Sequence, residues 1–213
     1  MKYTDVSCRQ FIESLASQDP VPGGGSVAAL VGALGAALGD MVGALTVEKK
    51  KYSAVAEEIR DAMNEVSLLQ KDLIELVQKD IEIFEPISKI LAMKPETEEE
   101  TKKKEELLEV ALEEACSVPI MVMGKCGRVV ELCKLFAEKG NRIAVSDAAA
   151  GAILCKSAIE AASLNVYINT SMMKNSEKTE SLNNVCARHL MMYTPLAEGV
   201  FGYVSHRLQT NEA

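Results

Sequence analysis

The sequence of 213 residues predicts an all-α fold, a single-domain bundle of about six to eight helices. Apolar residues recur at three- and four-residue steps almost throughout the chain, which is the period of an amphipathic helix. Sustained period-two alternation and Asn-Gly hairpin turns, the signals of β-strands, are nearly absent. No linker is long enough to divide the chain, so we expect one domain over residues 1–213.

A short helix and a loop begin the chain. Thr4 or Asp5 can cap this helix, which should end near Ser17. Its predicted apolar side consists of Val6, Phe11, Ile12 and Leu15. The loop that follows reads Asp19-Pro-Val-Pro-Gly-Gly-Gly, and its Pro and Gly residues favour a turn over regular structure.

The second predicted helix is rich in Gly and Ala. Ser26 can cap it, and it should end near Lys49–Lys51, where cations suit the C-terminal dipole. No charged residue occurs from Pro20 to Gly39, a length that could cross a bilayer, but Asp40 interrupts the run and no aromatic belt flanks it. We therefore expect no membrane span, and instead a helix buried on all sides of a bundle.

Two rows of small residues run along this helix at four-residue spacing. They consist of Gly35, Gly39 and Gly43, and of Ala28, Gly32 and Ala36. In an exposed helix each Gly would cost about 0.8–1 kcal/mol relative to Ala. The close approach of a neighbouring helix should offset that cost, and a second subunit is one candidate source of that helix.

A long helix is predicted over about Ser53–Met93, with a kink or a split at Pro86. The segment "KPETEEETKKKEELLEV" then starts another helix, with Thr97 or Pro95 near its entry. The mixed charges of this segment indicate a solvated surface.

Three further helices complete the expected bundle. Pro119 marks a break before a helix that ends near Lys139, and Gly140-Asn141 forms its C-cap and turn. Ser146 can cap a long helix that reaches Met173. The last helix covers about Thr179–Arg207, with a bend near Pro195.

Charge and cysteine usage limit the class of protein. The 23 Lys and Arg residues against 31 Asp and Glu residues leave a net charge of −8, which argues against nucleic-acid binding. The six cysteines form no Cys-x-x-Cys pair, so we expect free thiols, no metal site and a reducing cytoplasm. No signal peptide precedes the first helix. The two histidines, His189 and His206, support neither a Ser-His-Asp triad nor a metal site.

The glycine triplet at Gly23, Gly24 and Gly25, with Ser26 after it and Pro22 before it, is the first candidate binding element. It is not a Walker motif or a dinucleotide fingerprint, because no Gly-Lys-Ser/Thr follows and no strand precedes it. A helix N-terminus offers free N–H groups and a partial positive charge to a carboxylate, a phosphate or a polar ring edge. A tight turn that merely enters the helix is the alternative.

A dense cationic cluster follows the end of the same helix. It consists of Lys49, Lys50 and Lys51, with Tyr52 directly after them. This cluster is either a solvated helix end or a site for the anionic tail of a substrate.

Two carboxylates lie among apolar residues. Asp80 is close to Ile81 and Phe84 in "QKDIEIFEPI", and Asp40 falls within an otherwise uncharged helix. A carboxylate near an apolar surface has a raised pKa, which is useful for proton transfer.

The Ala-rich helix carries a second polar set. Ser146 and Asp147 open it, and an acidic residue in a first turn is also explained by the helix dipole. Asn165 points to the same side as Asp147, about 27 Å further along. Asn165 and Asn169 are one turn apart among apolar neighbours, so these amides need a helix or a ligand as partner.

In their order along the chain these elements resemble the cyclodeaminase/cyclohydrolase family of folate metabolism. The resemblance rests on "DPVPGGGSVAALVGALGAAL", "EKKKY", "KDIEIFEPI", "EEACSVPIMVM", "GNRIAVSDAAAGAIL" and "LNVYIN", and it covers nearly the whole chain. Each element alone would be weak, but the combination is specific. With no formimidoyl-transferase domain in the sequence, the resemblance implies the stand-alone form.

The resemblance also implies an all-helical homodimer or larger homo-oligomer, with reduced-folate sites near the subunit interface and no cofactor or metal beyond the folate. The family reactions convert 5-formimidoyltetrahydrofolate to 5,10-methenyltetrahydrofolate plus ammonia, or hydrolyse the methenyl group to 10-formyltetrahydrofolate. On this basis the Pro22–Ser26 turn holds the folate, and Lys49, Lys50 or Lys51 receives its glutamate carboxylates. Tyr52 and Ser146 are also expected to bind the substrate. Asp147 and Asp80 are the candidates for pterin anchoring or proton transfer, with Asn165 and Asn169 in support.

Three alternatives remain open at this point, one of which is a family member that acts on a related one-carbon substrate. The cyclodeaminase reaction and the cyclohydrolase reaction make similar demands on a site, and the sequence does not separate them. A non-catalytic helical dimerisation protein would use the glycine rows for packing alone.

Overall fold

The computed structural model describes residues 2–210. Within these residues the chain forms seven α-helices, three short 3-10 helices and no β-strand, which confirms the all-α prediction. The α-helices are α1 (Cys8–Leu15), α2 (Gly24–Val47), α3 (Ala56–Ala92), α4 (Glu98–Ala115), α5 (Ser117–Lys139), α6 (Val145–Met172) and α7 (Ser176–Gln209). The 3-10 helices span Tyr3–Asp5, Lys50–Val55 and Arg142–Ala144.

Helix α2 lies at the centre of the bundle and packs against α3, α5 and α6. The main core joins α2 to these helices and to α7, with Phe136, Ile59 and Leu73 among its largest fully buried side chains. A smaller apolar cluster, which includes Ile87 and Leu112, holds α4 against α3. The Gly/Ala-rich helix is therefore the central element of the fold.

The glycines of α2 allow close helix contacts, and the contacting helices belong to the same chain. A methyl group added at Gly35 would lie 2.8 Å from the carbonyl oxygen of Gly151 on α6. The same addition at Gly39 would meet the Cys133 thiol on α5 at 3.2 Å. The glycine rows are thus filled by α3, α5 and α6, and they need no second subunit.

One side of α2 is open to solvent, so the expectation of a helix buried on all sides is wrong for this chain. Leu34, Met41 and Leu45 are 52%, 50% and 40% exposed, respectively. Among the described residues α2 is the one helix long and apolar enough to span a membrane by composition, and half of its most apolar window is buried in the protein. An unpaired apolar stripe therefore runs along the central helix.

Three predicted helix caps are wrong, and each has a physical reason. Ser7 caps α1 instead of Thr4 or Asp5. Its hydroxyl accepts a hydrogen bond from the backbone N–H of Gln10, and the side-chain oxygen of Gln10 accepts one from the backbone N–H of Ser7. Helix α2 begins at Gly24, so Ser26 lies inside the first turn, and α6 begins at Val145, so Ser146 does as well.

The N-terminal helix is less buried than its pattern predicts. Of the four apolar side chains assigned to its inner side, Phe11 is buried, whereas Ile12 and Leu15 are 63% and 38% exposed. A helix of eight residues offers only two turns, and of its side chains Phe11 is the one that is buried, in the main core and edge-to-face with the Tyr3 ring.

Neither proline inside a long helix ends it. Helix α3 continues through Pro86, so the predicted split does not occur there, and α7 continues through Pro195. Thr97 caps α4 as predicted, through a bond from the Glu100 amide to its hydroxyl. Gly140 ends α5 and Asn141 caps the next turn, which also confirms the prediction.

Candidate active site

A cavity of about 240 Å³ lies at the N-terminus of α2. Helix α3, helix α6, the α4–α5 junction and the loop before α2 form its walls. Its lining residues are Pro20, Val21, Gly23, Gly24, Gly25, Asp80, Ile83, Phe84, Ala115, Pro119, Asn165, Ile168 and Asn169. The structure thus brings together the glycine triplet, one of the two candidate carboxylates and both candidate amides.

Asp80 is the ionisable side chain of this cavity. Helix α3 runs past the start of α2 and presents the Asp80 carboxylate to the first turn, where the Ser26 hydroxyl donates a 2.7 Å hydrogen bond to Oδ2. Burial raises the pKa of Asp80, and hydrogen bonds from the hydroxyl and the backbone N–H of Ser26 oppose that rise. The carboxylate therefore takes the place of a local N-cap for α2.

Gly25 is required for this arrangement. A Cβ atom at this position would lie within 2.6 Å of the Asp80 carboxyl carbon, closer than any packing contact. Gly24 has more room, since its added Cβ would meet the Asn165 amide nitrogen at 3.5 Å. The glycine triplet therefore allows the α3 carboxylate to reach the N-terminus of α2, a role distinct from turn flexibility.

The rest of the cavity combines amide groups with apolar surface. Asn165 and Asn169 lie one turn apart on α6. The side-chain NH2 of Asn165 donates a 2.9 Å hydrogen bond to the Ala161 carbonyl of the same helix, and its side-chain oxygen takes no part in that bond. Phe84 and Ile168 supply apolar walls. A flat, polar-edged heterocycle fits such a combination of one ring, two amides and one carboxylate.

The cationic cluster lies at the opposite end of α2. The helix has 24 residues, which places the cluster about 35 Å from the cavity along the helix axis. The Tyr52 hydroxyl accepts a 3.1 Å bond from the Arg142 amide, and the Lys51 ammonium lies 4.7 Å from the Tyr52 ring centre. Lys50 and Lys51 are exposed and Lys49 is half-buried.

Ser146 and Asp147 also lie at this distant end, in the first turn of α6. Ser146 is exposed and Asp147 is half-buried. In one chain the structure therefore separates the predicted site residues into two groups, with Asp80 in one and Asp147 in the other. Asp40 belongs to neither group, although its Oδ1 atom is buried without a hydrogen-bond partner and burial raises its pKa.

Several residues that line the cavity do not stand out as site residues in the sequence. Phe84 stands four positions after Asp80, so helical spacing alone could have placed its ring on the same face as the carboxylate. Ala115 and Pro119 come from the α4–α5 junction, and no local signal connects them to α2. Pro22, predicted to bind substrate, is buried after a cis peptide bond and is not among the lining residues.

This chain is similar in sequence to proteins that carry cyclodeaminase or cyclohydrolase names. The sequence profile described as Formiminotransferase-cyclodeaminase matches residues 7–188. Methenyltetrahydrofolate cyclohydrolase of Methylorubrum extorquens is 35% identical over 159 residues, which are 75% of this chain and 76% of that protein. Formimidoyltransferase-cyclodeaminase of Gallus gallus is 28% identical over 80% of this chain, and the matched region is 32% of that protein. This chain therefore spans about a third of the length of that bifunctional relative.

A solved structure has the same architecture. The crystal structure of formiminotetrahydrofolate cyclodeaminase from Thermotoga maritima superimposes with a TM-score of 0.80 and 29% sequence identity. The superposition covers 98% of each chain.

Proposed function

This chain belongs to the formiminotransferase-cyclodeaminase family, and from that premise we propose that it is an enzyme acting on a tetrahydrofolate derivative. Within the family we propose formimidoyltetrahydrofolate cyclodeaminase as its activity. The full-length structural likeness to the Thermotoga maritima cyclodeaminase supports this choice. The observation that carries it is Asp80, a buried carboxylate held in a cavity with two amides, an aromatic ring and a helix N-terminus.

The chemistry requires one proton to move between two nitrogen atoms. In 5-formimidoyltetrahydrofolate, N10 attacks the formimidoyl carbon and forms a tetrahedral centre between N5 and N10. With the formimidoyl group protonated as its amidinium (N5–CH=NH2+), N10 then loses its proton, the former amidinium nitrogen gains it and leaves as ammonia, and the methenyl product keeps the positive charge. A single carboxylate that accepts the first proton and returns it to the leaving nitrogen meets both demands. We propose Asp80 for this role.

The cavity is too small to enclose a whole folate, so we assign it to the reactive part of the substrate. Ligand pockets commonly measure about 300–1,000 Å³, and the cavity of about 240 Å³ lies just below that range. We propose that it holds the bicyclic pterin and the one-carbon group, with Phe84 and Ile168 against the ring and Asn165 and Asn169 at its polar edge. The glutamate tail then extends out of the cavity, toward a separate cationic site.

A homodimer would supply that cationic site. The exposed stripe of Leu34, Met41 and Leu45 on α2 is the kind of apolar surface that a second subunit covers. We propose a two-fold dimer in which the stripes meet and the two α2 helices run antiparallel. The partner subunit's Lys49, Lys50 and Lys51 then approach the cavity of the first protomer. This arrangement would let both groups of predicted residues, including Asp147, serve one folate.

Methenyltetrahydrofolate cyclohydrolase is the second candidate activity. The observation in its favour is the 35% identity to the Methylorubrum extorquens enzyme over 75% of this chain. In this reaction a water molecule attacks the same carbon between N5 and N10, and Asp80 would accept a proton from that water. The same carboxylate therefore serves both candidates, and the substrate decides between them.

The purified protein should be assayed separately with 5-formimidoyltetrahydrofolate and 5,10-methenyltetrahydrofolate. Release of ammonia with gain of the methenyl absorbance identifies the cyclodeaminase, whereas loss of methenyl absorbance without ammonia identifies the cyclohydrolase. Asp80→Asn should lower kcat by about 10²–10⁴-fold, because a neutral amide cannot accept the proton.

Asp61→Asn is the matched control, since Asp61 is an exposed carboxylate on the same helix. It should keep wild-type turnover. No turnover of either folate and no thermal stabilisation on adding folate would refute the proposed function, and a helical dimerisation protein would then be the better description.

A further inference from the structure

Ser26 is completely buried within the first turn of α2, with 0% of its surface exposed. It is absent from the residues that line the cavity, although Gly24 and Gly25 before it are among them. Its hydroxyl donates to Oδ2 of Asp80 at 2.7 Å, and Asp80 comes from a different helix, 54 positions along the chain. The side chain of Ser26 therefore faces the carboxylate and has no route to a bound ligand.

We propose that Ser26 is a positioning residue that holds Asp80 as an anion against the first turn of α2, at the edge of the cavity. Ser26 acts through Asp80 and does not contact the folate. This inference deepens the proposed function and rests on it for its catalytic meaning, but the effect of Ser26 on Asp80 exists in the protein without substrate.

The first turn of α2 suits this role. An ionised carboxylate can only accept hydrogen bonds, and Ser26 offers it two donors, the hydroxyl and the backbone N–H. The helix N-terminus adds a partial positive charge. A protonated Asp80 would keep only part of these interactions, so the geometry favours the charged form.

Among the described residues that line the cavity, Asp80 is the one with an ionisable side chain. The lining residues from the loop and from α2 are Pro20, Val21, Gly23, Gly24 and Gly25, those from α3 besides Asp80 are Ile83 and Phe84, and those from the α4–α5 junction and α6 are Ala115, Pro119, Asn165, Ile168 and Asn169. None of these side chains is ionisable. Burial of Asp80 raises its pKa and the two bonds from Ser26 lower it, with no contribution from another charge.

Because Ser26 stabilises the anion, its loss must raise the pKa of Asp80. A hydrogen bond to a charged group contributes about 1.5–3 kcal/mol, which corresponds to a rise of about one to two pH units. A base with a higher pKa is protonated at a higher pH, so the acidic limb of the kcat/KM profile must move upward by the same interval.

Two measurements on Ser26→Ala test the proposal. Carbon-13 NMR of the carboxyl groups, with Asp80→Asn used to assign the resonance, should show the upward shift of the Asp80 pKa in the ligand-free protein. The pH dependence of kcat/KM should show the matching shift, with KM nearly unchanged on the alkaline plateau. Ser26→Cys, a weaker donor of similar volume, should give an intermediate shift and provides a second variant should the alanine variant fold poorly.

Ser163→Ala is the control, because Ser163 is also a buried serine in a helix, and its hydroxyl donates to the Glu160 carbonyl of that helix and not to Asp80. It should leave the Asp80 pKa and the pH profile unchanged. An unaltered Asp80 pKa in both Ser26 variants would overturn the proposal, as would a raised KM with an unshifted profile, which indicates direct folate contact. If the wild-type protein turns over no folate, the proposed function fails, while the NMR titration still decides the role of Ser26.

Discussion

At the scale of single residues, the contact between Gly25 and Asp80 sets the position of the Asp80 carboxylate. A helix N-terminus and a carboxylate attract each other, but the attraction is effective only within the first turn. The missing side chain at Gly25 allows that approach, because a Cβ atom there would lie 2.6 Å from the Asp80 carboxyl carbon. A glycine that looks like a flexible turn residue in the sequence is thus a steric requirement of the site.

Gly25→Ala should displace the Asp80 carboxylate, since the new methyl group and the carboxylate cannot occupy the same space. A displacement of about 1 Å can lower kcat by roughly 10²-fold, even with the reactive group still present. Steady-state turnover of the folate substrate measures this loss.

The matched control is Gly202→Ala on α7, where an added Cβ meets nothing within 4 Å. It should keep wild-type kcat and gain roughly 0.5–1 kcal/mol of stability from improved helix propensity. Wild-type kcat in Gly25→Ala would contradict the steric requirement.

At the scale of helices, the fold depends on how closely α6 approaches α2. Gly35 and Gly151 face each other, and an added Cβ on Gly35 would lie 2.8 Å from the Gly151 carbonyl oxygen. A backbone atom cannot rotate away as the end of a side chain can, so the whole of α6 would have to move.

Gly35→Ala should therefore destabilise the protein, by about 1–3 kcal/mol from overpacking, less any gain in helix propensity. Urea denaturation followed by far-UV circular dichroism measures the change through the midpoint. Gly202→Ala serves again as the control, because it makes the same substitution in a helix without the contact. Equal or higher stability of Gly35→Ala would show that α2 and α6 are less tightly fixed than the structure indicates.

Helix existence could be predicted from the sequence, whereas helix beginnings could not. Three- and four-residue spacing reports which face of a segment is buried, so the predicted helices all occur with small changes of boundary. Caps depend on contacts from elsewhere in the chain. Helix α2 begins without a local cap because Asp80 arrives from α3, and α6 begins directly after a turn capped by Asn141.

The residues of the candidate site could likewise be predicted from the sequence only in part. Asp80, Asn165 and Asn169 could be proposed from single segments, since each is a polar group in an apolar stretch, and the structure brings them into one cavity. The contact between Ser26 and Asp80 joins positions 54 residues apart, and Ala115 reaches the cavity only through the packing of α4. Such juxtapositions depend on tertiary structure, and no local pattern encodes them.

At the scale of the whole molecule, the open stripe on α2 and the divided site have one common explanation. Leu34 and Met41 are about half exposed at the centre of the bundle. Near the cavity, Leu164 and Ile168 on α6 are 67% and 58% exposed. A two-fold dimer that covers these residues would run the two α2 helices antiparallel, because a two-fold axis perpendicular to a helix reverses its direction. Each cavity would then face the cationic cluster of the other subunit.

Subunit complementation tests this arrangement. Asp80→Asn removes the proton acceptor, and a triple change of Lys49, Lys50 and Lys51 to Glu repels the glutamate tail, so each variant alone should have low kcat/KM. If the two groups act across the interface, a mixed dimer holds one site with both defects and one site with none. Random assembly makes half of the dimers mixed, so coexpression should restore about a quarter of wild-type activity. If both groups served a site within one chain, every site would carry a defect and activity would stay low, which would exclude the shared site while leaving the role of Asp80 intact.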